Sequence, residues 1–398
     1  MKVLILIKQP LVKRDFNRYG IEFLLSKGHE ITILDLSDLV HPETPNDRTE
    51  EINDTRIEIR KIGSQKLLKF EKKTFSGNDL IINLIQSLGV EYSTYIALNM
   101  IAKSGTPYLI FAPSVYPGAI WERGDRSGYK TLQDFWLRLK TMNIFNSILY
   151  RLPRQFIGIR EADYIVYNGN ASHMKNELVG EKTTPIFAHT MDFDLFLDKK
   201  KSSFVQENIA VFIDQALPNH PGFISLKIAG KINADTYYRK LRMVFDAIED
   251  QLNLRVVIAG HPRSNRRKIQ TAFGDREVSL GKTVDLIAKS RIVLAHYSTA
   301  IGLAVLFQKP VMLLANKEMY DLHPKYKYVF EKFSNVLGVP INYFDELDEV
   351  DFSNLLYVNE KLYDGYINEY LKACGSPSRN LWEIVHNKIG LKNLGPLN

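Results

Sequence analysis

The sequence predicts a doubly wound α/β protein made of two Rossmann-like domains. Three observations predict it. Short apolar runs alternate with helical patterns through the first half; a polar, basic break at Lys199-Lys200-Lys201-Ser202-Ser203 interrupts that rhythm; and the same rhythm then restarts. At 398 residues the chain is too long for one ordinary core, so two domains of about 150–200 residues are expected.

The first element, Val3-Leu4-Ile5-Leu6-Ile7, has the continuous apolar character of a strand buried on both faces. The helix that carries Ile21 to Leu25 stops at Lys27-Gly28-His29, and Ile31-Thr32-Ile33-Leu34 reads as the second strand. Leu80 to Ile85, Tyr108 to Phe111, Tyr164 to Tyr167 and Pro185 to Ala188 read as further strands with helical patterns between them. Beyond the break, Ile209 to Ile213 opens the second series. An amphipathic helix over Asp235 to Gln251 comes next, with Tyr238, Leu241, Met243, Val244, Phe245 and Ile248 as its apolar positions. Val256 to Ala259, Ile292 to Ala295 and Val311 to Leu314 are its remaining strands, and Asn354 to Ile389 reads as helical, packing back across both domains. The expected division is residues 1–195 and 196–352 as the two Rossmann-like domains, with C-terminal helices over 353–398.

Composition removes several classes. Hydrophobic residues at 45% and charged residues at 24% are those of a globular protein. A single cysteine, Cys374, excludes a disulfide framework, a Cys-rich zinc site and an iron–sulfur cluster, and fits a reducing, cytoplasmic compartment. Apolar runs are strand-sized and fall short of the ~18 residues of a membrane span. Met1-Lys2-Val3 leads straight into a strand, which does not read as a signal peptide. The net charge of +7 favours anionic partners without choosing among phosphates, nucleic acid and an acidic membrane face.

In parallel sheets ligands bind outside the C-terminal ends of the strands, so residues just after strands carry the chemistry. Ile258-Ala259-Gly260 runs into His261-Pro262-Arg263, where Pro262 ends the ladder and His261 can meet a phosphate. Ala295 runs into His296-Tyr297-Ser298-Thr299, which opens a helix to about Phe307, with Ser298 and Thr299 suited to its N-cap. Asp214 follows the first strand of the second series and is a carboxylate candidate. Asp235 opens the helix behind it, where plain capping is an adequate role. Glu161, before the strand at Tyr164, is a further carboxylate that could cross from the first domain. Gly-x-Gly-x-x-Gly is missing after the first strand, and no Walker A or H-E-x-x-H pattern occurs, which weighs against dinucleotide, P-loop and zinc chemistry. Asp192-Phe193-Asp194 is a D-x-D triplet at the domain junction, read as a turn ahead of a cation site.

At His261-Pro262 and Ser298-Thr299 the chain resembles the GT-B glycosyltransferases of bacterial surface-polysaccharide synthesis that use CMP-activated sugars. The ordered series Phe212-Ile213-Asp214-Gln215, Tyr237-Tyr238, Ala259-Gly260-His261-Pro262-Arg263, His296-Tyr297-Ser298-Thr299-Ala300 and Lys309-Pro310 is most similar to the retaining β-Kdo transferases of capsule and O-antigen synthesis. The likeness covers residues 209–315 well and the first half only in outline. It implies a GT-B fold with an interdomain cleft and a CMP-sugar donor. His261, Pro262, Arg263, His296, Tyr297, Ser298 and Thr299 would hold the nucleotide. Asp235, with Asp214 as second choice, would be the carboxylate that attacks the sugar, His261 would assist at the phosphate, and Glu161 would be acid/base. It implies a glycan or lipid-linked glycan acceptor; because CMP carries one phosphate, a site of fixed donors is expected to need no metal cofactor. Transfer of sialic acid or another nonulosonate, and a GT-B-like UDP-sugar epimerase, stay open as alternatives. Nucleic-acid binding is disfavoured by the interspersed acidic residues. The aromatic and basic segment 121–160 is read as amphipathic helices packed on the sheet, with peripheral contact to the anionic inner face of the cytoplasmic membrane as the competing use.

Overall fold

The computed structural model describes residues 1–13, 15–40, 52, 54–85, 92–119, 154–174, 176–215, 217–219, 232–260, 266–322, 325–345 and 355–393. Seven strands form the first sheet: β1 (Lys2–Ile7), β2 (Glu30–Asp35), β3 (Ile57–Lys61), β4 (Leu80–Asn83), β5 (Tyr108–Phe111), β6 (Tyr164–Tyr167) and β7 (Thr184–Phe187). Six form the second: β8 (Ile209–Ile213), β9 (Arg255–Gly260), β10 (Val278–Leu280), β11 (Ile292–Ala295), β12 (Val311–Ala315) and β13 (Ile341–Tyr343). The strand orders are β3-β2-β1-β4-β5-β6-β7 and β10-β9-β8-β11-β12-β13, and each neighbouring pair is parallel. The second order is that of a Rossmann sheet, and the first is the same with one added edge strand. The expected fold class is therefore the one observed.

Period-two alternation explains why the central strands are apolar throughout. In the second sheet Ala210, Phe212, Val256, Ile258 and Leu294 face one core, while Ile209, Val211, Ile213, Val257 and Val293 face the other. Leu4, Leu6 and Ile81 face one side of the first sheet, and Val3, Ile5, Ile7 and Ile82 face the opposite side. Helices cover both faces, as parallel sheets require.

The helix Ala234–Leu252 begins at an Asn233 side chain that accepts the Thr236 amide at 3.0 Å, and it buries Tyr237, Leu241, Val244, Phe245 and Ile248. Met243, expected on that face, is exposed, and Tyr237 takes the inward place. The D-x-D triplet is the first turn of a helix, Met191–Lys200, where a junction turn was expected.

The expected C-terminal helical stretch is broken into Glu360–Tyr366 with a π-helical turn Ile367–Leu371, and a separate helix Leu381–Asn393. The first part packs on the second domain through Tyr363, Tyr366 and Leu371. The chain then returns to the first domain. Thr190 N donates to Leu371 O at 2.8 Å, Ala373 N donates to Ala188 O at 2.9 Å, and the last helix lays Leu381, Trp382, Val385 and Ile389 on the first sheet. Trp382 meets Phe111 edge-on at 5.5 Å between ring centroids and donates its indole N–H to Arg18 O at 3.0 Å. Gly20 lies under that ring with φ of 72°, and a Cβ there would stand 2.2 Å from Trp382 Cδ2, so only glycine fits. Among the described residues no helix is long and apolar enough to cross a membrane.

Candidate functional site

In a sheet of this order the crevice opens between the two strands where the order reverses, here β8 and β11. Asp214-Gln215 leaves the end of β8, and His296-Tyr297-Ser298-Thr299 leaves the end of β11. Ile213 and Ala295 are paired in register, so the two segments leave the sheet side by side. Gln215 closes the gap by donating from Nε2 to Tyr297 O. Asp214 N donates to Ala259 O at 3.1 Å, which brings the end of β9 alongside.

The loop after β11 is held from beneath by a buried polar chain. His296 is fully buried, with Nδ1 2.5 Å from Leu314 O and Nε2 2.6 Å from the Tyr237 hydroxyl. Burial pushes its pKa down to about 4, so it is neutral at pH 7. A carbonyl can only accept, so the neutral ring carries its proton on Nδ1 and takes the Tyr237 O–H at Nε2. Both nitrogens are thus committed inside the core. This corrects the expectation that His296 touches the nucleotide; its place is below the site, fixing where Tyr297 begins.

Tyr297 is likewise engaged. Burial raises its phenol well above the usual range, and the neighbouring Tyr326, to which it hydrogen-bonds, adds to the rise; burial raises Tyr326 as well, with that bond acting against it. Its carbonyl is taken by Gln215. Its ring packs against Tyr326 at 5.4 Å and Phe330 at 5.6 Å between centroids. Ser298 and Thr299 are the groups left facing outward, Ser298 half-buried and Thr299 exposed. Ser298 Oγ accepts the Ala300 amide at 3.2 Å, and the helix proper spans Ile301–Leu306 with Ala300 as its N-cap, so Ser298 caps a turn one step earlier than expected.

The carboxylates divide sharply. Asp214 is 2% exposed and lies near Tyr237 and Tyr238; after burial, its charge is the next cause raising both phenols. Asp235 is exposed in the first turn of the helix that carries Tyr237. Glu161 is not brought to them. It precedes β6, where the Ala162 amide donates to Leu178 O at 2.7 Å and a Cβ on Gly180 would strike its carboxylate. Residues before a parallel strand lie at the edge opposite to those after it, a full strand length of about 13 Å away for four residues. His261, Pro262 and Arg263 lie outside the described residues. β9 delivers the chain to them at Gly260, where a Cβ would approach Leu280 to 2.6 Å.

The two domains meet near this edge. Tyr116, after β5, stacks on Phe333 at 6.2 Å, and Gly118 sits against Val329 of the same helix, Lys325–Leu337. Tyr116 lies near enough to Tyr297 and Tyr326 to add, after burial, to the rise of both phenols, so the first domain reaches the rim of the second domain's switch point. The D-x-D carboxylates, by contrast, diverge. Asp192 pairs with Arg18 at 3.2 Å, and Asp194 accepts the Leu381 amide at 2.9 Å. They tie the junction to the first domain and the last helix and do not converge on a cation.

Neither a family model nor a curated protein matches this chain. Solved structures are similar in outline. CalG4, the calicheamicin glycosyltransferase, is 10% identical over 99% of this chain and 99% of its own, at a TM-score of 0.49. MurG of Acinetobacter baumannii is 10% identical over 98% and 99%, at 0.47. The UDP-GlcNAc 2-epimerase of Methanocaldococcus jannaschii is 10% identical over 98% and 100%, at 0.47. Likeness at that level concerns overall architecture and carries no argument about chemistry.

Proposed function

We propose that this protein is a GT-B glycosyltransferase that moves a CMP-activated 3-deoxy-ulosonic acid, Kdo, onto a glycan acceptor of a bacterial surface polysaccharide. The observation that carries the reading is the convergence of Asp214-Gln215 and Tyr297-Ser298-Thr299 at one switch point, beside the strand that leads into His261-Pro262-Arg263. The order of those motifs along the chain is what favours CMP over other nucleotides.

The chemistry needs two kinds of group. Breaking the bond between the ketosidic carbon and the phosphate oxygen builds positive charge on the sugar and leaves an electron pair on the departing CMP. The Ser298 and Thr299 hydroxyls, with His261 and Arg263, meet the phosphate. A carboxylate oxygen attacks the sugar carbon as the phosphate leaves, giving a glycosyl–enzyme ester. The acceptor hydroxyl then displaces the carboxylate, with overall retention. Asp235 is the better nucleophile because it is exposed, whereas Asp214 is buried. Glu161 stands at the wrong edge to take the acceptor's proton, so another base does so. CMP bears one phosphate, which fixed donors can satisfy, so turnover is proposed to persist after chelation of divalent ions.

A thermal-shift comparison of CMP, UDP, GDP and NAD tests the donor. Stabilisation by CMP alone is expected, and a response to UDP alone refutes the CMP reading in favour of a UDP-sugar enzyme.

A further inference from the structure

We propose that the helix pair Gln65–Phe70 and Lys72–Ser76 is a docking surface for an anionic lipid bilayer. The two short helices follow β3 and are anchored from below by Leu68 and Phe75, both fully buried. With those two inside, the fold has no use for the apolar side chains that remain outside. Phe70 is nevertheless 71% exposed and Leu67 49% exposed, three positions apart on one helical face. Single exposed apolar residues are ordinary, but a neighbouring pair flanked by a run of like charge is not.

That run is made by Lys66, Lys69, Lys72 and Lys73, all exposed. Among the described residues none of the four pairs with a carboxylate. The only acidic residue between Lys61 and Ser76 is Glu71, and it is spent elsewhere, accepting from Arg60 at 2.6 Å and from the Thr74 hydroxyl at 2.5 Å. The surface therefore presents unpaired lysines beside an exposed aromatic and a leucine. A bilayer with acidic headgroups answers both features at once. Its phosphates meet the ammonium groups, and its interfacial layer takes the phenyl ring and the isobutyl group below them. A nucleic-acid backbone or an acidic peptide would satisfy the lysines but leave Phe70 and Leu67 without a purpose. The surface lies apart from the basic and aromatic segment singled out in the sequence, and it stands independently of the nucleotide reading.

The experiment uses the full chain and vesicles of phosphatidylcholine, alone or mixed with phosphatidylglycerol. Sedimentation with the mixed vesicles at low salt, little with neutral ones, and loss at high salt are expected. Each lysine near such a surface is worth about fivefold in partitioning, so the combined Lys66→Glu, Lys69→Glu, Lys72→Glu and Lys73→Glu variant should lose at least about 100-fold. Leu67→Ser with Phe70→Ser should lose about tenfold at unchanged charge. Phe70→Trp reports depth directly, with a blue-shifted emission on mixed vesicles and quenching by brominated lipid. Unchanged emission from that tryptophan, or sedimentation indifferent to both sets of substitutions, overturns the proposal. So does binding of single-stranded RNA by the same lysines without any effect of vesicles on the tryptophan. Because all six positions are exposed, melting temperature and any stabilisation by CMP should match the parent protein, which separates failure here from failure of the donor reading.

Discussion

Replacing Tyr237 by phenylalanine removes one oxygen from a buried relay and leaves everything else in place. The relay runs from the Tyr237 hydroxyl to His296 Nε2 at 2.6 Å, and from Nδ1 to Leu314 O at 2.5 Å. The ring itself would stay, held by Tyr238 at 5.0 Å and Phe344 at 5.5 Å between centroids. Without the hydroxyl, Nε2 becomes a buried acceptor with no donor. Moving the proton to Nε2 does not help, because Nδ1 would then face the Leu314 carbonyl lone pair to lone pair. Either arrangement costs about 1–3 kcal/mol. For a domain of this size each kcal/mol shifts the melting temperature by about 2–4 °C, so a fall of about 2–12 °C is expected by scanning calorimetry near pH 7.5. The turn that begins at Tyr297 loses its support as well, so stabilisation by CMP should shrink in parallel. A melting temperature within about a degree of the parent's would mean that another donor reaches Nε2, and the account of how this loop is fixed would be wrong.

The same geometry sets three further outcomes. His296 has a pKa of about 4 when folded and 6.5 as a free side chain, so above pH 6.5 it contributes nothing; between pH 6.5 and 4 only the unfolded chain binds the proton, and stability falls by up to about 3 kcal/mol. Asp194 opposes this, since burial lifts it from 3.8 to about 7 and the folded protein alone takes up a proton across that interval. Asp194→Asn should therefore be more stable than the parent at pH 8 and lose stability more steeply from pH 6.5 to 5, as read by urea midpoints; equal slopes would refute the pairing of these two groups. Asp235→Asn should cut turnover by roughly 10³-fold with the CMP response and melting temperature retained, while Asp214→Asn should alter stability first. Trp382→Ala should cost about 3–5 kcal/mol in denaturant titration, because it empties the buried contact with Phe111 and removes the bond to Arg18 O.

The central strands were legible because a sheet covered on both faces demands unbroken apolar runs, which is why Val3 to Ile7 and Ile209 to Ile213 stand out. Three edge strands, β3, β10 and β13, escaped the sequence reading. An edge has one solvated side and needs less apolar surface, so Ile57-Glu58-Ile59-Arg60-Lys61 alternates with charge, and the other two have three residues each. Asp214-Gln215 and Tyr297-Ser298-Thr299 could be placed because position after a parallel strand determines which edge a residue occupies. The same rule, applied to Glu161, would have set it aside, since it comes before its strand. His296 was misassigned for a different reason. Its two partners stand 59 and 18 positions away, and no local pattern separates a buried structural imidazole from a ligand-binding one.

The return of the last helix onto the first sheet has a consequence for biosynthesis. The groove formed by Gly20, Arg18 and Phe111 is filled by Trp382, which is 364 positions after Arg18 in the chain. A ribosome adding about 5–20 residues per second would expose that unfilled groove for tens of seconds while the second domain is being translated. The amino-terminal half thus reaches its native packing only after nearly the whole polypeptide has emerged, and during that interval it is the natural client of a chaperone.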